Sequence, residues 1–423
     1  RNEEDGMVTR TAETLRMLGH SYEYWPRGRP GIDATRWEVV PKLIPRRFIT
    51  PSDFTNLLID GLEDGLGTAV HGTSLGQACE EEVSGVASKL AGDETRFSQF
   101  QLDAALGGVL DAEGADKQGS ILVAGVGSGK TIAFMLPPLI LARRDILEGS
   151  QNYKAHMFLY PRTALALDQF SKALVPFAVA AGIPLEQIHS EMSLHYKSNL
   201  NVSVRRGIKD VHNSGNQPRL VISTLETLKR RLSHPIIVKK LLRRLQSVTI
   251  DEVHLVSGVQ GAQVAMLLRR LREIAPGDAT WTGASATIAK PEEHLGRLIG
   301  ENPKRLRLVL PSPDEMVPDG VVHHCFIRPS GLISTAGALT NATSLLIHSR
   351  RDDLSDRPRN RKQRLASPKT IAFADNLELL GRWNTDFREN ERTDVFDSGR
   401  RESRREHPDT DDLEEWGPLQ REL

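Results

Sequence analysis

The sequence predicts an α/β fold: a parallel sheet flanked by helices, preceded by a helical region and followed by the start of a second sheet. Three observations carry this expectation. From about residue 96 to 310, apolar runs of strand length alternate with amphipathic stretches of helix length. A glycine-rich turn follows the first of those strands directly, and two further chemically distinctive segments follow later strands. Alternation of this kind implies right-handed strand–helix–strand units, and such sheets bind ligands at the carboxyl ends of their strands.

Taken in order, residues 1–95 are expected to form an N-terminal helical, accessory domain. Its helical stretches are Thr11–Leu18, Phe54–Leu62 and Gln77–Leu90, separated by proline- and glycine-rich breaks. No chemical motif stands out there, so a docking surface for a protein partner is the expected role. Residues 96–310 form the expected ligand-binding domain, with strands at Ile121–Val123, Met157–Tyr160, Leu220–Ser223, Val248–Ile250 and Thr280–Gly283. Residues 311–367 read as a linker or insertion, with a helix-like run at Gly331–Ile347 and then a strongly charged stretch. At Lys369 a new strand and helix begin, KTIAFADNLELLGRW, the opening of a second α/β domain in residues 368–423. Too few residues remain for a domain of ordinary size, and those from Arg388 on are charged and apolar-poor, so this second domain is expected to be truncated with a disordered acidic tail.

Bulk properties exclude several classes. With 423 residues, 39% hydrophobic and 26% charged, the chain has material for a buried core in two or three domains. Its formal net charge is +0, so any polyanion-binding surface must be local. No apolar run approaches the roughly 18–20 residues of a membrane span, and the amino terminus has no signal-peptide core. The first residue is Arg1, compatible with a chain that begins inside a longer product. Cys79 and Cys325 are far apart and form no CxxC pair, which excludes a zinc ribbon and suits the reducing cytoplasm. His323 and His324 beside Cys325 lack a second ligand pair, so a metal site is not expected there.

The glycine-rich turn is the strongest signal. Ile121–Val123 leads into Ala124, Gly125, Val126, Gly127, Ser128, Gly129, Lys130 and Thr131, the A-x-x-G-x-G-K-T form of a P-loop. Glycines let successive backbone N–H groups face one phosphate, and the following helix adds its positive dipole end. Lys130 is expected at the β- and γ-phosphates of a nucleoside triphosphate and the Thr131 hydroxyl on Mg²⁺. The second signal is VTIDEVH, Val248–His254. A strand here delivers Asp251 to hold Mg²⁺ and Glu252 to polarise the attacking water. An Asp-Glu pair after a strand is common by itself; downstream of a P-loop it reads as the metal and water site. The third is GASATI, Gly283–Ile288, where Ser285 and Thr287 are expected to couple the acid motif to a neighbouring element. Alone, they would read as helix-capping residues. His254 is placed to link the acid motif to Ser285, or to make a purely structural hydrogen bond.

This order, P-loop then DEVH then SAT, resembles motifs I, II and III of superfamily 2 helicases of the DEAD/DEAH type. The resemblance covers about residues 96–310 and the strand after Lys369. It implies two RecA-like domains with ATP between them. YPRTALALDQ, Tyr160–Gln169, is similar to motif Ia and implies that Arg162 and Thr163 contact a nucleic-acid backbone. ISTLETL, Ile222–Leu228, is similar to motif Ib and implies the same for Thr224 and Glu226. FSQFQLDA, Phe97–Ala104, resembles a Q-motif, in which Gln101 reads the adenine edge. The details YP-x-x-ALA-x-DQ, GVQGAQVAMLLRRL after DEVH and SATI-x-x-PEEH resemble the YprA/Lhr-like branch, which implies DNA, with RNA not excluded. A closer resemblance is to the helicase subunit of the DISARM anti-phage system.

Departures from that pattern limit what is carried over. Motifs IV and V are not identifiable, and no Q/H-R-x-G-R-x-x-R motif VI occurs; the run Gly399–Arg405 lacks its spacing. An arginine finger is worth ~10³–10⁵ in rate, so the chain alone is expected to bind ATP and to hydrolyse it weakly. Basic clusters at Arg205–Lys209, Lys229–Arg231, Lys239–Arg244 and Arg269–Arg272 are candidate nucleic-acid contacts or solvated helix faces. The expected function is an ATP-dependent motor that translocates on or separates nucleic-acid strands. The alternative is an ATP-binding module without turnover that docks a partner protein.

Overall fold

Strand-forming sequence is fully buried where it lies between helices, and this chain builds its sheet from such segments. In the computed structural model the described residues are 32–114, 118–150, 154–190, 218–233 and 241–329. Thr11–Leu18, Arg205–Lys209, Lys239, Lys240, Gly331–Ile347, the segment from Lys369 and Gly399–Arg405 lie outside them.

The elements are β1 (Ile32–Pro45), α1 (Pro51–Leu66), α2 (Ser74–Leu90), α3 (Gln99–Ala112), β2 (Gly119–Val123), α4 (Lys130–Leu147), β3 (Ala155–Tyr160), α5 (Thr163–Gln169), α6 (Val175–Ala180) and β4 (Ile188–Ser190). They continue with β5 (Leu220–Thr224), α7 (Leu225–Arg231), β6 (Leu245–Ile250), α8 (Gly258–Ile274), β7 (Thr280–Ser285), α9 (Pro291–Ile299), β8 (Leu306–Val309) and β9 (Met316–Pro329). The helices begin where the sequence offers caps. Thr50 caps α1 through its hydroxyl, with Pro51 in the first turn. Ser98 and Gln101 form a reciprocal capping box on α3.

Seven strands form one sheet in the order β4-β5-β3-β6-β7-β2-β8, and every pairing is parallel. The expected α/β class, a parallel sheet flanked by helices, is borne out. Side chains alternate between two apolar cores. Leu122, Phe158, Tyr160, Ile222 and Ala284 face one, with α1–α4. Ile121, Leu159, Val221, Ile250 and Trp281 face the other, with α8 and α9. All five expected strands are present, extended by one to three residues where polar or small residues still pair.

Two differences have physical reasons. First, residue 95 is no boundary in space. Phe54, Leu58, Leu62 of α1 and Val83, Val86 of α2 share one continuous core with Phe134 and Leu139 of α4, and a compact unit runs from Pro41 to Gly320. The helices expected at Phe54–Leu62 and Gln77–Leu90 are therefore a layer of the sheet domain. Second, strands occur where none were expected. β4 and β8 are short edge strands of three and four residues, too brief to show periodicity. β1 and β9 pair as a separate two-stranded sheet, with β9 inside the expected linker at 311–367. Pro41 and Pro318 interrupt their sequences, and a ribbon of two edge strands tolerates the missing N–H groups. Residues 1–40 and 321–423 belong to a second unit.

Candidate nucleotide site

Because all seven strands are parallel, the segments that follow them emerge along one edge. β7 lies between β6 and β2, so the DEVH segment, Ser285 and the P-loop leave adjacent strands. The Ala124 N–H donates to the Ser285 carbonyl at 3.2 Å, which ties the start of the P-loop to the end of β7.

Gly127 and Gly129 hold φ of 87° and 83°, a left-handed region that favours glycine. At Gly129 there is a second reason: a Cβ would sit 2.4 Å from Gln101 Nε2. Ser128 is buried and donates from Oγ to the Gly125 carbonyl at 2.8 Å, closing the turn. The helix α4 then starts at Lys130 with no side chain capping it, which leaves its first N–H groups for an anion. Gly125, Val126 and Gly127 form the exposed rim, and Thr131 is half-buried in the first turn. Lys130 Nζ donates to the Ala124 carbonyl and, at 3.2 Å, to that of Gly125. Its pKa is lowered by burial, an effect that the charges of Glu252 and Asp251 only partly offset.

Gln101 lies beside the P-loop. Its Oε1 accepts from the Ser98 N–H at 3.0 Å and its Nε2 donates to the Gly129 carbonyl at 3.3 Å. It is buried, caps α3 and clamps the P-loop. Its contacts are with the loop backbone.

Asp251 and Glu252 sit at the end of β6. The Asp251 N–H donates to the Leu159 carbonyl at 3.0 Å, and the Glu252 N–H donates to Asp251 Oδ1 at 2.8 Å. The Asp251 carboxyl is pushed up to about 6, first by burial and then by the neighbouring charge of Glu252. Glu252 has φ 53° and ψ 44°, left-handed backbone for a residue with a long side chain. Strain of about 1–3 kcal/mol is typical of such a position, and it clusters at functional sites. His254 Nδ1 lies 3.2 Å from Ser285 Oγ and 3.2 Å from Glu252 Oε2, so it stands between the acid motif and β7. Thr287 is exposed beyond the end of β7. Sequence reasoning missed His294 of α9, whose Nε2 donates to the Val253 carbonyl at 3.0 Å and steadies the DEVH backbone. It also missed the buried Tyr160 hydroxyl, which among the described residues has no hydrogen-bond partner, and whose pKa is raised well above its ordinary value by burial and then by Asp251.

The motif Ia and Ib residues follow β3 and β5. Arg162 and Thr163 are exposed at the start of α5. Thr224 is buried, and its hydroxyl caps α7 by accepting from the Thr227 N–H at 3.2 Å. Glu226 is exposed and faces Arg230 at 3.4 Å. Of the basic clusters, Lys229 and Arg230 are exposed in the last turn of α7. Arg269 donates to the Arg297 carbonyl at 2.7 Å, and Arg272 pairs with Glu301 and the Gly300 carbonyl, so both join α8 to the end of α9.

This constellation fits a magnesium nucleotide. Two adjacent acids share one corner with a lysine, burial and the charge of Glu252 raise the Asp251 carboxyl, and the buried Tyr160 hydroxyl feels the Asp251 charge. Uncapped helix N–H groups and a glycine loop face the same edge.

Residues 110–295 match the family model of the DEAD/DEAH box helicases. The uncharacterized ATP-dependent helicase YprA of Bacillus subtilis (strain 168) is 30% identical over 218 residues, which cover 49% of this chain and 25% of that protein. The Lhr helicase/uracil glycosylase of Escherichia coli (strain K12) is 28% identical over 201 residues, covering 45% of this chain and 12% of that protein. The crystal structure of the DUF1998 helicase MrfA bound to DNA and AMPPNP is similar with a TM-score of 0.48 at 19% identity, covering 80% of this chain and 39% of that one. The matched region spans a quarter or less of these two curated relatives. Residues 110–295 are thus similar to a DEAD/DEAH box helicase domain, and the chain is related in sequence to YprA- and Lhr-type helicases over about half its length.

Proposed function

We propose that this chain is the ATP-binding part of a superfamily 2 motor that acts on nucleic acid, DNA in the first instance, and couples ATP hydrolysis to translocation or strand separation. One observation carries the reading. The P-loop, DEVH and SAT segments, separated in sequence, leave the neighbouring strands β2, β6 and β7, with His254 Nδ1 3.2 Å from Ser285 Oγ.

Within that reading, Lys130 and the first N–H groups of α4 bind the phosphates. Thr131 and Asp251 would hold Mg²⁺, which supplies charge neutralisation of the phosphoryl oxygens. Glu252 accepts a proton from the attacking water. His254 reports the state of Glu252 to Ser285, and hence to β7. Arg162 and Thr163, exposed at the same edge, would track the nucleic-acid backbone by charge and hydrogen bonds. The arginines of a second RecA-like domain would complete turnover. The resemblance to the DISARM helicase subunit supports a role in bacterial anti-phage defence, and the low cysteine content supports work in the cytoplasm. Among the described residues no helix is long and apolar enough to cross a membrane.

Titration with a fluorescent ATP analogue tests the reading. Lys130→Ala is expected to weaken binding roughly a hundredfold, since a charged donor to phosphate is lost. Glu252→Gln is expected to keep binding while DNA-stimulated phosphate release stops. Unchanged affinity in the first variant would sink the phosphate site. Binding without any DNA-stimulated release in the parent protein would favour the ATP-binding assembly module instead.

A further inference from the structure

The segment that joins β1 to α1 runs beside the P-loop. Its backbone is fixed on both sides of Arg47. The Arg46 N–H donates to the Glu315 carbonyl at 2.8 Å. The Phe48 and Ile49 N–H groups donate to the Phe97 carbonyl at 3.0 and 3.1 Å. From this anchored position Arg47 Nη2 donates to the Gly127 carbonyl at 2.8 Å. The same nitrogen lies 3.8 Å from where a Cβ of Gly129 would stand, and Lys42 Nζ lies 3.8 Å from the corresponding point at Gly127. Two cations, Lys42 from the end of β1 and Arg47 from the segment after it, thus converge on the two left-handed glycines of the loop.

Their charges differ in availability. Lys42 is paired with Asp319. Arg47 is exposed, and among the described residues no carboxylate pairs with it. A guanidinium carries five N–H donors in a rigid fork, and one bond to a carbonyl leaves most of them for an acceptor. Holding a long exposed side chain in one place costs rotamer entropy that a single neutral hydrogen bond barely offsets. A polyphosphate at the loop supplies the missing partner, and with it a charge-assisted, potentially two-pronged contact.

We propose that Arg47 is a phosphate-binding residue of the nucleotide site, a second cation beside Lys130, delivered in cis from outside the recognised motifs. Without nucleotide it makes the single bond to the Gly127 carbonyl. With nucleotide present its remaining donors engage the phosphate chain, so its contribution grows with the number of phosphates. This inference rests on the nucleotide reading above.

The test is a titration of the whole chain with fluorescent ATP, ADP and AMP analogues in Mg²⁺, at low and moderate salt, with the thermal midpoint recorded for each variant. Arg47→Ala is expected to weaken ATP about tenfold, ADP less and AMP hardly at all, with a shallower salt dependence and an unchanged thermal midpoint. Arg47→Lys is expected to recover most of the ATP affinity, because the charge is kept. ATP affinity unchanged in Arg47→Ala, or an equal loss for all three nucleotides without rescue by lysine, would overturn the assignment. No ATP binding by the parent chain would overturn the nucleotide reading and this assignment with it. Parent binding with an indifferent Arg47→Ala would overturn Arg47 alone.

Discussion

Two charged clusters of this domain obey opposite rules. One joins α4 to β5 and its neighbours, away from the motifs. Arg144 donates to Asp145 Oδ1 at 2.7 and 3.1 Å and pairs with Glu113. Arg219 reaches Asp145 Oδ2 at 3.4 Å and Gln187 Oε1 at 2.9 Å. All three central side chains are buried, and opposite charges alternate. Burial pulls the Arg144 pKa down, but the hydrogen bonds and charge of Asp145, with Glu113, outweigh it and leave it raised. The other cluster, at the edge of β6, sets Asp251 beside Glu252 and gives Lys130 only backbone acceptors. Like charges are adjacent, one residue is left-handed, and among the described residues the buried Tyr160 hydroxyl finds no hydrogen-bond partner. A structural cluster satisfies its members internally. A site keeps them unsatisfied, so that a ligand can do it.

The sharpest way to break this comparison is to delete one member of the satisfied cluster. Asp145→Ala leaves two buried guanidiniums without their common carboxylate and is expected to cost about 3–5 kcal/mol, read as a lowered denaturant midpoint. A loss below ~1 kcal/mol would show that the cluster is not what it looks like.

Glu82 of α2 sharpens the contrast, because it is an orphan acid away from any motif. It is fully buried, among the described residues neither carboxyl oxygen has a hydrogen-bond partner, and its pKa is raised well above the ordinary value by burial, which Arg143 opposes and Glu81 reinforces. The folded state therefore holds a proton that the unfolded state releases above about pH 4.5. Stability attributable to the protonated group is full below that pH and declines as pH rises toward the folded pKa, by up to about 1.4 kcal/mol per unit. Glu82→Gln is expected to flatten that decline, with a gain over wild type that grows from pH 5 to pH 8 in parallel urea titrations. A constant difference across that range would contradict a buried protonated carboxyl.

The smallest effect concerns strain. Glu252→Gly at φ 53° is expected to raise stability by ~1 kcal/mol while phosphate release is lost. A destabilised glycine variant would mean that the Glu252 side chain holds the DEVH turn together.

Much of this was legible in sequence because the signals were local. A glycine turn after an apolar run marked the P-loop, and Asp-Glu after Val248–Ile250 marked the acid corner. Both lie where expected. Thr224 and Gln101 were legible as positions but not as roles. A hydroxyl or amide beside a helix start serves equally as a cap or as a ligand contact, and the Thr227 N–H and Gly129 carbonyl partners became visible only in the fold. Arg47 gave no signal at all, because its partner lies 80 residues away and belongs to backbone.

By itself, then, the sequence determined the strand–helix alternation, the left-handed glycines of the loop and the chemical identity of the acids, since each depends on residues within a few positions of one another. Tertiary structure alone decided that α1 and α2 share the core of the sheet domain, that β1 pairs with β9, and that Gln101, Arg47 and His254 meet the loop and the acid corner. Those outcomes depend on strand order and on contacts between distant segments, which no local pattern of side chains encodes.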